Sequence, residues 1–221
     1  MSINSIQLSS FAVNSLAYMY ALPGSRLNSH SLLRQLTHRG KEISTEYDHG
    51  DLLIAVTPLA INGATQTVKE TVLRAMPFDW LSSLFKREKS RAALTGIAGG
   101  FKYLSLIDVT IADQATRLAD FIIDSIDGFN LLSPDELKDS NLKLGEISFN
   151  NVLLETTVDS GYLLLSTTHV LPDGIAKVET SMIVAAKPEY QDLDMLQTLL
   201  PIFMSEIESL VPEQHNLETS F

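Results

Sequence analysis

A chain of 221 residues, 45% of them hydrophobic, is long enough to bury a core without cross-links or structural metal. It has no cysteine, which excludes thiolate nucleophiles, CxxC redox pairs, iron–sulfur clusters and cysteine-ligated zinc. The net charge of -11 divides into +3 over residues 1–92 and -14 over residues 93–221, a field that repels nucleic-acid phosphates and suits a basic partner.

Residues 1–25 carry no charge, and Phe11 to Leu22 is their most apolar part. A secretory leader wants a basic start and an unbroken apolar run, whereas Asn14 and Ser15 interrupt this one. The other long uncharged stretch, Leu52 to Val68, contains Pro58 and Gly63 and is too polar at its end to span a bilayer. The expectation is a soluble, cytoplasmic protein.

Asn28 or Ser29 then caps a short expected helix carrying Leu32, Leu33 and Leu36, with Gly40 as its stop. A hairpin follows, Lys41 to Tyr47 and Leu52 to Thr57 around Asp48-His49-Gly50-Asp51. Thr67 with Glu70 reads as a capping box for a helix burying Val68, Val72, Ala75 and Met76, which Pro77 ends. Phe78 to Arg91 reads as a second helix, with Trp80, Leu81, Leu84 and Phe85 on one side and Lys86, Arg87, Lys89 and Arg91 at its far end. Gly96, Gly99 and Gly100 are expected to break the chain before a strand from Phe101 to Ile111. Helix resumes at Asp113 with Ala115, Leu118, Ala119, Ile122 and Ile126 inward and Gly128 at its close.

Ser133-Pro134-Asp135-Glu136 has the pattern of a helix start and opens only a short one. After Asn141 come four β segments, Lys143 to Phe149, Val152 to Val158, Tyr162 to Val170 and Ala176 to Ala186. Their connections are too short for a parallel return, so they form an antiparallel meander. A last helix, Leu193 to Leu210, carries a seam of Leu193, Met195, Leu196, Leu200, Phe203, Ile207 and Leu210 that should lie across the sheet, with Pro201 kinking or splitting it.

The expected fold is therefore α+β: an antiparallel meander over about residues 143–186 packed against helices, with a hairpin and helix portion before it. One composite domain over 1–221 is favoured. A seam, if present, falls near residues 92–100 and separates 1–92 from 101–221. The order of elements before residue 76 faintly resembles the later part, but no aligned residue repeat is evident and no duplication is claimed.

No catalytic residues, metal site or cofactor are assigned. Asp48, His49 and Asp51, with His30 and His38, are metal-ligand types, but no HxxxH or HExxH spacing places two on one face, and a solvated hairpin tip explains them. The run Thr95 to Gly100 opens a strand in this reading rather than the helix a phosphate cradle needs. His169 lacks a nucleophile context. The ending Glu218-Thr219-Ser220-Phe221 fits peptide grooves that capture a C-terminal carboxylate and equally fits a frayed terminus.

The functional lead is Phe78, Trp80, Leu81 and Phe85 above Lys86, Arg87, Lys89 and Arg91. Such an amphipathic segment could dock on a protein partner or lie, over residues 77–91, on an anionic membrane surface. Only 19% of residues are charged, against roughly 25% in soluble domains, which points to surface covered by another protein or a second copy. The expected role is a non-catalytic binding or adaptor protein. A hydrophobic-ligand binder and an enzyme with an unfamiliar carboxylate or histidine site are the rivals.

Overall fold

The computed structural model describes residues 3–26, 29–59, 67–73, 83–104, 106, 108–138, 141–149, 152–170, 176–184 and 195–211. In chain order the helices are α1 (Ser5–Tyr20), α2 (Ser83–Tyr103), α3 (Val109–Leu131) and α4 (Met195–Leu210). The strands are β1 (Ser31–His38), β2 (Lys41–Asp48), β3 (Asp51–Pro58), β4 (Val68–Leu73), β5 (Leu142–Phe149), β6 (Val152–Asp159), β7 (Tyr162–Val170) and β8 (Ala176–Val184). They make two four-stranded antiparallel sheets, each a meander in chain order: an α+β fold.

The uncharged N-terminus is an interior helix. Asn4 Oδ1 accepts the Gln7 N–H at 2.8 Å and Gln7 Oε1 accepts the Asn4 N–H at 3.3 Å, so two orphan donors of the first turn are satisfied reciprocally. Ile6, Leu8, Phe11, Ala12, Val13, Leu16 and Met19 are all buried, because α1 packs on α2, α3, α4 and β1 at once. A charge anywhere on those faces would have to be desolvated without a partner.

The expected helix over Leu32–Leu36 is instead β1. Its burial alternates along most of its length, and Arg39 (φ 48°) and Gly40 (φ 68°) form the two-residue turn into β2. Gly40 stops a strand, not a helix. Thr67–Met76 is likewise corrected: Val68–Leu73 is β4, paired with β3, while Ala75, Met76 and Pro77 lie outside the described residues. Gly96, Gly99 and Gly100 do not break the chain but lie inside α2, and Gly100 faces β3, where an added Cβ would stand 2.9 Å from Ile54 Cγ2. The expected strand Phe101–Ile111 is the end of α2 and the start of α3. α3 begins at Val109 rather than Asp113 and passes through Gly128 to Leu131. Pro201 lies within α4 without dividing it.

Ser133 and Glu136 form the anticipated reciprocal cap, opening only a 3₁₀ turn at Glu136–Lys138. The later meander runs in the expected order and turns at Ser160-Gly161 as expected, with β6 and β7 in unbroken register from Val152↔His169 to Asp159↔Tyr162, while the turns at 150–151 and 172–174 lie outside the described residues. α4 packs on α1, α3 and β8 rather than on the sheet alone.

Each half of the chain repeats the order helix, four strands, helix, and the repeat extends to residues. In both halves the first strand carries one extra residue opposite the second, Leu33 and Leu144, and the last strand one opposite the third, Val72 and Ile183. The turn Asp48-His49-Gly50 matches Asp159-Ser160-Gly161, with positive φ at the last two residues of each. Leu8, Phe11, Ser15 and Leu16 of α1 match Leu118, Phe121, Ser125 and Ile126 of α3. Phe11 meets Phe101 of α2 edge-to-face at 5.6 Å, and Phe121 meets Phe203 of α4 at 6.1 Å. Ser15 bonds the Thr45 hydroxyl at 2.6 Å, and Ser125 bonds Thr156 at 2.9 Å. α1 lies on α4 as α3 lies on α2, the neighbour relations of an internal two-fold. α1 and α3 meet through small residues, with Ser9 Oγ donating to the Ala115 carbonyl at 2.9 Å.

Candidate functional site

Where two halves share a plan, the positions at which they differ are informative. β1 edges the first sheet, with a strand neighbour on one side only among the described residues. Along it lies a cavity of about 330 Å³, walled by Gln7, Ser10 and Phe11 of α1, the five consecutive residues Arg34–His38 of β1 and Glu208 of α4. A strand presents alternate side chains to opposite faces, so five successive residues can line one cavity only if it runs along the strand's edge.

Arg34 is half-buried, and its Cζ lies 5.6 Å from the ring centroid of Tyr18, within cation–π reach. Its Nε is buried and has no hydrogen-bond partner among the described residues. In the second half Gly145 stands where Arg34 does and Gly128 where Tyr18 does. The space is taken by neighbouring side chains: Thr156 Oγ1 at 3.5 Å and Phe121 at 3.6 Å from where a Cβ of Gly145 would be, and Leu144 at 3.7 Å from that of Gly128. One half has closed this corner with packed side chains that carry no charge. The other has put a stacked cation there, beside an open groove. Residues 1–41 hold four cations, Arg26, Arg34, Arg39 and Lys41, and no carboxylate side chain, in a chain whose net charge is -11.

A second polar cluster lies on β2. Glu46, nearly buried, accepts Lys69 Nζ at 2.6 Å and pairs with His30 Nε2 at 2.9 Å, while Ser44 Oγ donates to its other oxygen at 3.1 Å. Burial alone would raise the carboxyl's pKa, but the hydrogen bonds from Lys69, His30 and Ser44 outweigh it and hold the group below its usual range. Three donors converge on one carboxylate, so the cluster ties β4 and the lead into β1 onto β2.

The residues singled out in the sequence do not converge. Phe78, Trp80 and Leu81 lie outside the described residues; Phe85, Lys86, Arg87 and Lys89 lie on the first two turns of α2, their side chains beyond what the structure describes. Arg91 pairs with Asp120 and Asp124 of α3 and so ties two helices together. His30 is engaged by Glu46, and His49 pairs with Asp48 at an exposed hairpin tip. Among the described residues no three His, Asp or Glu side chains are grouped as a metal site. No described helix is long and apolar enough to cross a membrane.

The groove residues themselves were not anticipated. Their signal was the acid-free run of residues 1–41, but only tertiary packing brings α1, β1 and the end of α4 to one place. Comparison of the chain with protein families, with characterised proteins and with solved structures gives no match.

Proposed function

We propose that this is a non-catalytic binding or adaptor protein that holds a protein partner along the open edge of β1. The observation that carries this reading is the groove itself: a strand edge with no strand partner among the described residues, an apolar floor at Phe11 and the half-buried Arg34 in its lining. The first two turns of α2, with Phe85, Lys86, Arg87 and Lys89, are a second proposed contact; Arg91 is committed to α3. A lining that includes Arg34, Gln35, Gln7 and Glu208 favours a peptide over a lipid.

A photo-reactive benzophenone side chain placed at Gln35 of the full chain, in the native source, tests this. The expected result is a discrete cross-linked partner from position 35 and none from the same probe at Ser160, on an exposed hairpin of the second sheet. No adduct at position 35, or the same adducts from both positions, would overturn the reading.

A further inference from the structure

We infer that the occupant of the β1 groove is an extended acidic peptide, added to the first sheet as a fifth strand with one of its carboxylates on Arg34. The inference rests on the binding-protein reading and names the chemistry of the partner. Strand addition supplies main-chain hydrogen bonds along Arg34–His38, where the sheet ends. These bonds give affinity without choosing a sequence, and the choice comes from the side chains that alternate into the groove.

Charge makes that choice at Arg34. The guanidinium is fixed against Tyr18, its Nε is buried, and no carboxylate is paired with it among the described residues. A planar fork held in place in a partly desolvated groove favours a carboxylate over any neutral acceptor. Arg39 and Lys41 at the β1–β2 turn extend the same sign beyond the strand, and no acidic side chain precedes Glu42. Glu208, on the α4 wall, carries the opposite charge and sets polarity: the peptide's acid belongs toward Arg34, with a neutral or basic residue toward Glu208. A second copy of this chain offers, on its own β1 edge, only a single cation and no carboxylate to pair with Arg34, so it is the poorer occupant.

The test is selection of a random dodecapeptide library on the full-length protein. Enriched sequences are expected to alternate β-branched or aromatic residues with Asp or Glu, and methylating the backbone amides of an enriched peptide is expected to abolish binding. With that peptide, Arg34→Gln should weaken binding about tenfold, as loss of a charge-assisted hydrogen bond implies. Arg34→Glu should turn the selection toward Lys and Arg, and Glu208→Gln should leave acidic peptides bound as tightly or more so. Hydrogen exchange should slow across residues 31–38. Because Arg34→Gln could perturb the edge, the charge-reversed selection decides in a variant of unchanged thermal midpoint. Enrichment indifferent to position 34, binding that survives amide methylation, or concentration-dependent dimerisation through β1 would overturn the inference. If the cross-link from Gln35 forms while peptides show no acidic preference, the binding reading stands and the assignment of its partner falls.

Discussion

Buried hydroxyl pairs tie each first helix to its sheet, and they carry a measurable load. Ser15 donates to the Phe11 carbonyl at 2.7 Å and shares a hydrogen bond with Thr45, so both groups are satisfied in a place closed to water. Thr45→Val removes one hydrogen bond from Ser15, which keeps its bond to the Phe11 carbonyl, and should cost about 0.5–1.5 kcal/mol, whereas adding Ser15→Ala should cost less than the sum of the two single changes. Urea unfolding of the four proteins measures that coupling; strict additivity would mean the pair is not an anchor. At Glu46 the depressed pKa makes a contribution that is present above the ordinary carboxylate pKa and lost as pH falls through the lower folded value. Glu46→Gln should therefore be less stable than the wild type at about pH 6, with the gap narrowing as pH falls below the ordinary carboxylate value of about 4.3. Tyr20 works at the other extreme: burial pushes it up to about 12, the Ser90 hydroxyl opposing and Asp127 adding, so its contribution declines as pH rises from 10 toward that value. None of this was legible beforehand, since a serine among apolar residues looks the same in sequence whether or not a threonine waits opposite it.

Among the elements, the glycines of α2 separate two roles that sequence alone confused. Gly100→Ala places a methyl 2.9 Å from Ile54 and should destabilise by about 1–3 kcal/mol as helix and sheet are pushed apart. Gly99→Ala meets nothing within 4 Å and should stabilise by roughly 0.5–1 kcal/mol through helix propensity. Thermal midpoints moving in opposite directions would confirm the assignment; a shared direction would refute it. The second meander was readable because its connections are too short for any other topology, and the 48–51 hairpin for the same reason. β1 and β4 were misread because Leu32, Leu33 and Leu36 match a helical spacing and Thr67 with Glu70 mimics a cap. Edge strands bury only part of one face, so their alternation is weak, and pairing with β2 and β3 overrode the local signal. The strand expected at Phe101–Ile111 failed because alternation across a helix–helix junction is accidental.

For the molecule as a whole, each half lends a helix to the other. The packing of α1 on α4 and of α2 on α3 means that neither half encloses its own core. Residues 1–107 and 108–221 expressed apart should each fail to give a cooperative unfolding transition, and together they should recover one. A fragment that melts cooperatively alone would argue for two independent domains. The duplication escaped the sequence reading because α1, half of its best-matching pair, was not recognised as a helix. Once Phe11 and Ser15 are set beside Phe121 and Ser125, the repeat is visible in the residues themselves.

The same exchange governs the molecule's birth. α1 leaves the ribosome well before α4, which must cover it. At translation rates of 5–20 residues per second the greasy flank of α1 waits about 10 to 40 s for its lid. During that interval the nascent chain is a client for whatever shelters exposed hydrocarbon, so the yield of protein should depend on translation speed more than the stability of the finished fold would suggest.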